Sequence, residues 1–143
     1  MNYVADTNVV SELVKPRRAE TVVAWFETHR SRIYVSALTI GELRRGIERL
    51  PPGKKQTELR IWLAEFCDDL GGRLLAVNAS TAHVWGQLKA RWETAGIGIP
   101  AVDGQIAATA HRYGYTVATR NVADFRGTGV KVFNPFDADP KET

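Results

Sequence analysis

Short β-prone apolar runs alternate with amphipathic helical stretches along the whole chain, and few folds satisfy that alternation. Residues 2–5 open the pattern, and 33–35, 74–77, 115–118 and 130–133 repeat it. Between the runs, apolar residues recur at helical spacing. Ile40, Leu43, Ile47 and Leu50 mark a helix over 39–50, stopped by Pro51-Pro52-Gly53. Leu59, Trp62, Leu63, Phe66 and Leu70 mark another over 57–70, closed by Gly71-Gly72, and Val84, Trp85, Leu88 and Trp92 one over 80–95. Further helices are predicted at 8–15, 20–29 and 103–113, the first stopped by Pro16 and the last ending at Gly114. Strands alternating with helices predict an α/β fold, an about five-stranded parallel sheet with helices on both faces.

The chain has 143 residues, enough for one domain that buries about two-thirds of its unfolded surface. No apolar run approaches the ~20 residues of a membrane span. The N-terminus enters a strand directly, so the expectation is no export signal and no membrane. Cys67 is the single cysteine, which excludes an intramolecular disulfide and points to a reducing cytoplasm. One domain is expected over 1–136, with a frayed tail at 137–143. The formal net charge is +3, and basic residues gather at Arg17-Arg18, Arg44-Arg45 and Lys54-Lys55. Such a surface attracts phosphate, or is simply a solvated face.

Four acids carry the functional signal: Asp6, Glu42, Asp103 and Asp124. Asp6 ends a strand and opens a helix, the place where α/β folds build sites. Asp124 also follows a predicted strand, so both should open on the same sheet edge. Each acid has a structural alternative. Asp6 could cap a helix. Glu42 stands three residues after Thr39, the capping-box spacing. Asp103 suits a helix first turn, and Asp124 an Asx turn. If the four converge, two charges ~4 Å apart repel by ~4 kcal/mol at an effective dielectric near 20. A hard divalent cation such as Mg²⁺ relieves that, and takes oxygen ligands. Thr7, Asn8, Thr119 and Asn121 are short polar groups able to hydrogen-bond the carboxylates or ion-bound water. His29, His83 and His111 have no ligand-pair spacing and read as surface or helix-packing residues. Neither a Ser-His-Asp signature nor a phosphate-binding glycine loop is evident.

The run Val4-Ala-Asp-Thr-Asn-Val-Val-Ser-Glu12 resembles the opening of PIN-domain proteins. Ser36-Ala-Leu-Thr-Ile-Gly-Glu-Leu-Arg-Arg-Gly46, Asp103-Gly-Gln-Ile-Ala-Ala-Thr-Ala110, Val117-Ala-Thr-Arg-Asn-Val-Ala-Asp-Phe125 and Val132-Phe-Asn-Pro-Phe136 extend the resemblance over essentially the whole chain. The branch it looks like is VapC/FitB, the toxins of bacterial type II toxin–antitoxin pairs. The resemblance implies a PIN-like fold and an Mg²⁺- or Mn²⁺-dependent ribonuclease. It assigns metal-site roles to Asp6, Glu42, Asp103 and Asp124, with Thr7, Asn8 and Thr119 in support. Some relatives carry an acid where this chain has Asn121, which leaves one or two ions open. It also implies a homodimer and a cognate antitoxin with a DNA-binding domain, so that operator DNA is bound through the antitoxin.

The mechanism expected is hydrolysis of RNA phosphodiesters by ion-activated water, with Asp6 and Asp103 holding the ion and Glu42 and Asp124 completing the site directly or through water. Arg44, Arg45 and Arg49 follow Glu42 on its helix as candidates for flanking phosphates. Trp25, Trp62, Trp85 and Trp92 read equally as core or as interface anchors. Three rival readings stand beside this one. A phosphotransferase using Asp6 as nucleophile would want an acid where Asn8 stands. A nuclease-inactive PIN module would act only in an antitoxin–DNA complex. A PIN nuclease would work outside toxin systems.

Overall fold

In the computed structural model, which describes residues 1–137, the five strands form one parallel sheet of order β3-β2-β1-β4-β5. The strands are β1 (Tyr3–Ala5), β2 (Ile33–Ser36), β3 (Leu74–Leu75), β4 (Thr116–Ala118) and β5 (Val132–Phe133). The first strand in the chain is thus the central one. Tyr3 lies opposite Ile33 on one side and Thr116 on the other. The chain runs outward from β1 through β2 to β3, then returns to the other side of β1. The strand order therefore reverses between β1 and β4, where such sheets open a crevice at their carboxyl ends.

Among the described residues six α-helices cover the two faces: α1 (Thr7–Glu12), α2 (Glu20–His29), α3 (Ala37–Glu48), α4 (Lys54–Leu70), α5 (Ala79–Thr94) and α6 (Ala101–Tyr113). β1 is buried on both sides, and alternation sorts its residues. Tyr3 and Ala5 join a core with Val9, Phe26, Leu43, Leu63 and Phe66 from α1 to α4. Val4 joins a second core with Leu88, Trp92, Ile106 and Val117, under α5 and α6. A central parallel strand must be apolar on both faces, which is why residues 3–5 show no polar alternation.

Most helix starts lie a few residues earlier than periodicity predicts. α3 begins at Ala37 because Ser36 caps it, its Oγ accepting from Leu38 N at 3.2 Å. Glu42 is then mid-helix, and the capping-box alternative with Thr39 fails. α4 begins at Lys54 rather than 57. Buried Gln56 turns back to donate from Nε2 to the carbonyls of Ile47 and Leu50, both at 3.1 Å, which satisfies the open end of α3. β3 stops at Leu75, and Val77 is exposed. Gly114 ends α6 in the left-handed region at φ 72°, as its position predicts. Of the expected tail at 137–143, all but Asp137 lies outside the described residues. Among the described residues no helix is long and apolar enough to cross a membrane.

Candidate active site

The carboxyl end of β1 delivers Asp6 into the crevice. Its backbone extends the ladder by one bond, N–H to Ala118 carbonyl at 2.9 Å. The side chain is 5% exposed, and each oxygen is engaged. Oδ1 accepts from Thr7 N at 2.8 Å, which caps α1. Oδ2 accepts from Thr119 Oγ1 at 2.9 Å and from Asn8 Nδ2 at 3.2 Å. The capping alternative for Asp6 therefore holds through Oδ1, while Oδ2 is bonded to Thr119 and Asn8. Burial raises its pKa, the three hydrogen bonds pull it back, and Glu42 raises it further, for a net upward shift.

Asn8 joins the two halves of the site. Its Nδ2 also reaches Thr119 Oγ1 at 3.3 Å, and its Oδ1 accepts from the Arg120 peptide N–H at 3.0 Å. Thr119 Oγ1 in turn accepts from Asn121 N at 3.0 Å. Asn121 thus contributes through its backbone. Its carbonyl also accepts from Asp124 N at 3.0 Å, at the start of the 3₁₀ turn Val122–Phe125. Glu42, on α3, is met by the Thr7 hydroxyl, which donates to Oε1 at 2.5 Å.

Asp103 lies in the first turn of α6, where no side-chain capping bond forms. Its pKa is pushed up to about 6, first by burial and then by the charges of Asp6, Asp124 and Glu42 in that order. The structure therefore brings all four predicted acids into one electrostatic neighbourhood. Coulomb forces reach farther than coordination bonds. Among the described residues no three of His, Cys, Asp or Glu stand close enough to hold an ion as they are. The donor set itself is all oxygen and carries an unrelieved like-charge burden, which is the chemistry of a hard divalent cation. The donor types fit such an ion; the spacing seen here does not bring three of them to one point.

The flanking cations divide. Arg44 Nε is held by Glu48 at 3.0 Å, and Arg60 binds the same carboxylate. That leaves Arg45 on α3, and Arg49 at its C-cap, without an ion pair among the described residues. Two features escaped the sequence. Arg120, between the predicted Thr119 and Asn121, is tied to Asn8 by its peptide. Glu12, 5% exposed, receives Ala19 N at 2.8 Å and Lys15 Nζ at 3.0 Å, fixing the turn from α1 to α2. A buried acid with a basic residue three positions on was the available signal for the second. The tryptophans split as well: Trp25 and Trp92 are buried, Trp62 and Trp85 only partly. Alongside Thr7 and Glu42 runs an apolar groove of about 260 Å³, walled by Leu43, Ile47, Leu59 and Trp62.

The sequence matches the protein-family model described as PIN domain over residues 3–130. It is 41% identical to the toxin FitB of Neisseria gonorrhoeae over 133 residues, 92% of this chain and 96% of that protein. It is 38% identical to the VapC ribonuclease Y4jK of Sinorhizobium fredii over 136 residues, 94% of this chain and 97% of that one. Among solved structures, FitAB bound to an IR36 DNA fragment superposes with a TM-score of 0.89 at 37% identity, covering 96% of this chain and 97% of the other.

Proposed function

The chain belongs to the PIN-domain family, and we propose that it is a VapC/FitB-type toxin ribonuclease, hydrolysing RNA phosphodiesters with water activated by a divalent cation. The observation that carries this reading is the set Asp6, Glu42, Asp103 and Asp124, in which burial first, and then the charges of the other three, push the Asp103 carboxyl up to about 6.

Asp6 and Asp103 would hold the ion, Mg²⁺ or Mn²⁺, with Glu42 and Asp124 joining directly or through water. Such an ion supplies a water of lowered pKa and neutralises charge on the phosphoryl oxygens. The rest falls to the chain. Thr119 and Asn8 fix the Oδ2 edge of Asp6. The Thr7 hydroxyl orients Glu42. Arg45 and Arg49 offer charge to flanking phosphates of a single-stranded or looped RNA. Water as nucleophile leaves 5′-phosphate and 3′-hydroxyl ends.

An antitoxin partner follows from the same relatives, and operator DNA would be bound through it. The apolar groove beside Glu42 suits a segment of that partner, which would cover the acids as it seats. A homodimer, the cytoplasm as location and a single domain over 1–136 complete the proposal.

The test is cleavage of a mixed RNA pool by purified, antitoxin-free protein with Mg²⁺ or Mn²⁺, with chelator, and beside Asp6→Asn. Cutting that needs the ion and Asp6 supports the nuclease. Equal cutting by both proteins would point to a contaminant. No cutting by either would favour the nuclease-inactive PIN module.

A further inference from the structure

We propose that Arg120 is a substrate-positioning residue, binding a backbone phosphate of the RNA strand on the side of the acids opposite α3. The inference rests on the nuclease reading of the site and deepens it. Three observations carry it. The Arg120 peptide N–H is fixed to Asn8 Oδ1 at 3.0 Å, and Asn8 is bonded to Asp6, so the residue is anchored two bonds from a carboxylate of the site. Its guanidinium carbon lies 4.7 Å from the centroid of the Phe136 ring. The main chain that carries that ring is itself held, Phe136 N donating to Asn134 Oδ1 at 2.9 Å and its carbonyl accepting from Thr21 Oγ1 at 3.3 Å.

The third observation concerns charge. Arg120 is exposed, and its guanidinium makes no ion pair among the described residues. Buried Glu12 feels its charge but is already bonded to Ala19 N and Lys15. A guanidinium held over a ring has lost much of its rotamer freedom, and its N–H donors stay able to fork onto phosphate oxygens. By contrast Arg30, which also lies over a ring (Phe26, 5.7 Å), is bonded to Glu27 at 2.7 Å and has its charge answered. With Arg45 on α3 and Arg49 at its C-cap, Arg120 gives the strand cations on both sides of the carboxylates.

The experiment measures binding of a fluorescein-labelled single-stranded RNA by the full chain in chelator, over a salt series, together with cleavage kinetics in Mg²⁺. Arg120→Ala should weaken binding about tenfold, as the loss of one charge-assisted contact does, and flatten the log–log salt slope by about 0.7, as one lost phosphate contact does. KM should rise with kcat little changed, and the melting temperature should hold. Arg120→Lys should restore the slope and only part of the affinity. Phe136→Leu should keep the slope and lose affinity, whereas Arg30→Ala should change neither. An Arg120→Ala protein that binds with unchanged affinity and slope overturns the proposal, as does an equal loss in Arg30→Ala. A drop confined to kcat and melting temperature overturns it too, because that is a folding role. Wild-type protein that binds but does not cut would defeat the nuclease reading, while the binding arm still decides Arg120.

Discussion

Thr7 donates its hydroxyl to Glu42 at 2.5 Å, a bond that joins the first turn of α1 to the middle of α3. Its neighbours give it consequence. The peptide N–H of Thr7 simultaneously binds Asp6, so one residue spaces two of the four carboxylates. Thr7→Val keeps the shape and removes the hydroxyl. About 10-fold more Mg²⁺ should then be needed for half-maximal RNA cleavage, the usual scale for losing a residue that orients a ligand. Stability should fall by only about 1 kcal/mol, because the pair is partly exposed. A Mg²⁺ titration with a parallel melt checks this. An unchanged midpoint would mean that Glu42 needs no orientation.

Ion-free stability should fall as pH rises, through Asp103. Its folded pKa is raised from 3.8 to about 6, so the folded chain binds more protons than the unfolded one between those values. Its contribution is most favourable below pH ~4, and a constant penalty remains above pH ~6. Asp6 is shifted upward too and acts in the same sense. Asp103→Asn removes the penalty. In chelator at pH 7 it should be more stable than wild type by on the order of 1–2 kcal/mol, after allowance for solvent screening of a partly exposed group. At pH 4 the gap should close. Denaturant melts at the two pH values decide it, and a pH-independent gap would remove Asp103 as its source.

Mg²⁺ or Mn²⁺ should stabilise the folded chain even without RNA. Binding at 100 times Kd contributes about 2.7 kcal/mol to the folded state. Asp6→Asn and Asp103→Asn should each abolish most of the gain, while Asp68→Asn, at an acid outside the site, should not. Thermal melts with and without ion provide the measurement. An equal gain in all four proteins would place the ion elsewhere.

Gly104, the residue after Asp103 on α6, packs against two indoles of α5. A Cβ there would stand 3.2 Å from Trp85 Nε1 and 3.3 Å from Trp92 Cζ3. Gly104→Ala gains ~1 kcal/mol of helix propensity and should lose about 1–3 kcal/mol to overpacking. The expected net is destabilisation by about 1 kcal/mol with altered tryptophan fluorescence. A gain in stability would mean that the two indoles move at no cost.

Much of this was legible because each strand and helix follows a strong local rule. The apolar run 2–5 and the periodicity from Leu59 to Leu70 name their elements unaided. The order of the four acids is equally plain, although Glu42 falls in the middle of α3 rather than at its start. What stayed hidden was side-chain chemistry over long separations. Thr39 and Glu42 looked like a capping box, yet Ser36, a residue assigned to no element, makes the cap. Gln56 falls just outside the helix that periodicity predicts over 57–70, and only the packing of α4 against α3 reveals two carbonyls for it to serve. Arg44 and Arg45 are neighbours in sequence, but the helix turns one toward Glu48 and leaves the other without an ion pair. Arg120 could not be weighed at all until Phe136 was placed beneath it.

The central position of β1 sets a clock on the ribosome. The strand that bears Asp6 is made first, but one of its two flanking strands is β4, and Thr119, which holds Asp6 Oδ2, lies 113 residues downstream. A nascent chain carrying only the first four helices has Asp6 and Glu42 but neither Asp103 nor the Thr119 hydroxyl. Long-range parallel pairing is slow and waits for its partner strand. The complete carboxylate set therefore comes together only after β4 and the turn bearing Asp124 have been made, and until then a ribosome translating this message works beside a site that does not yet exist.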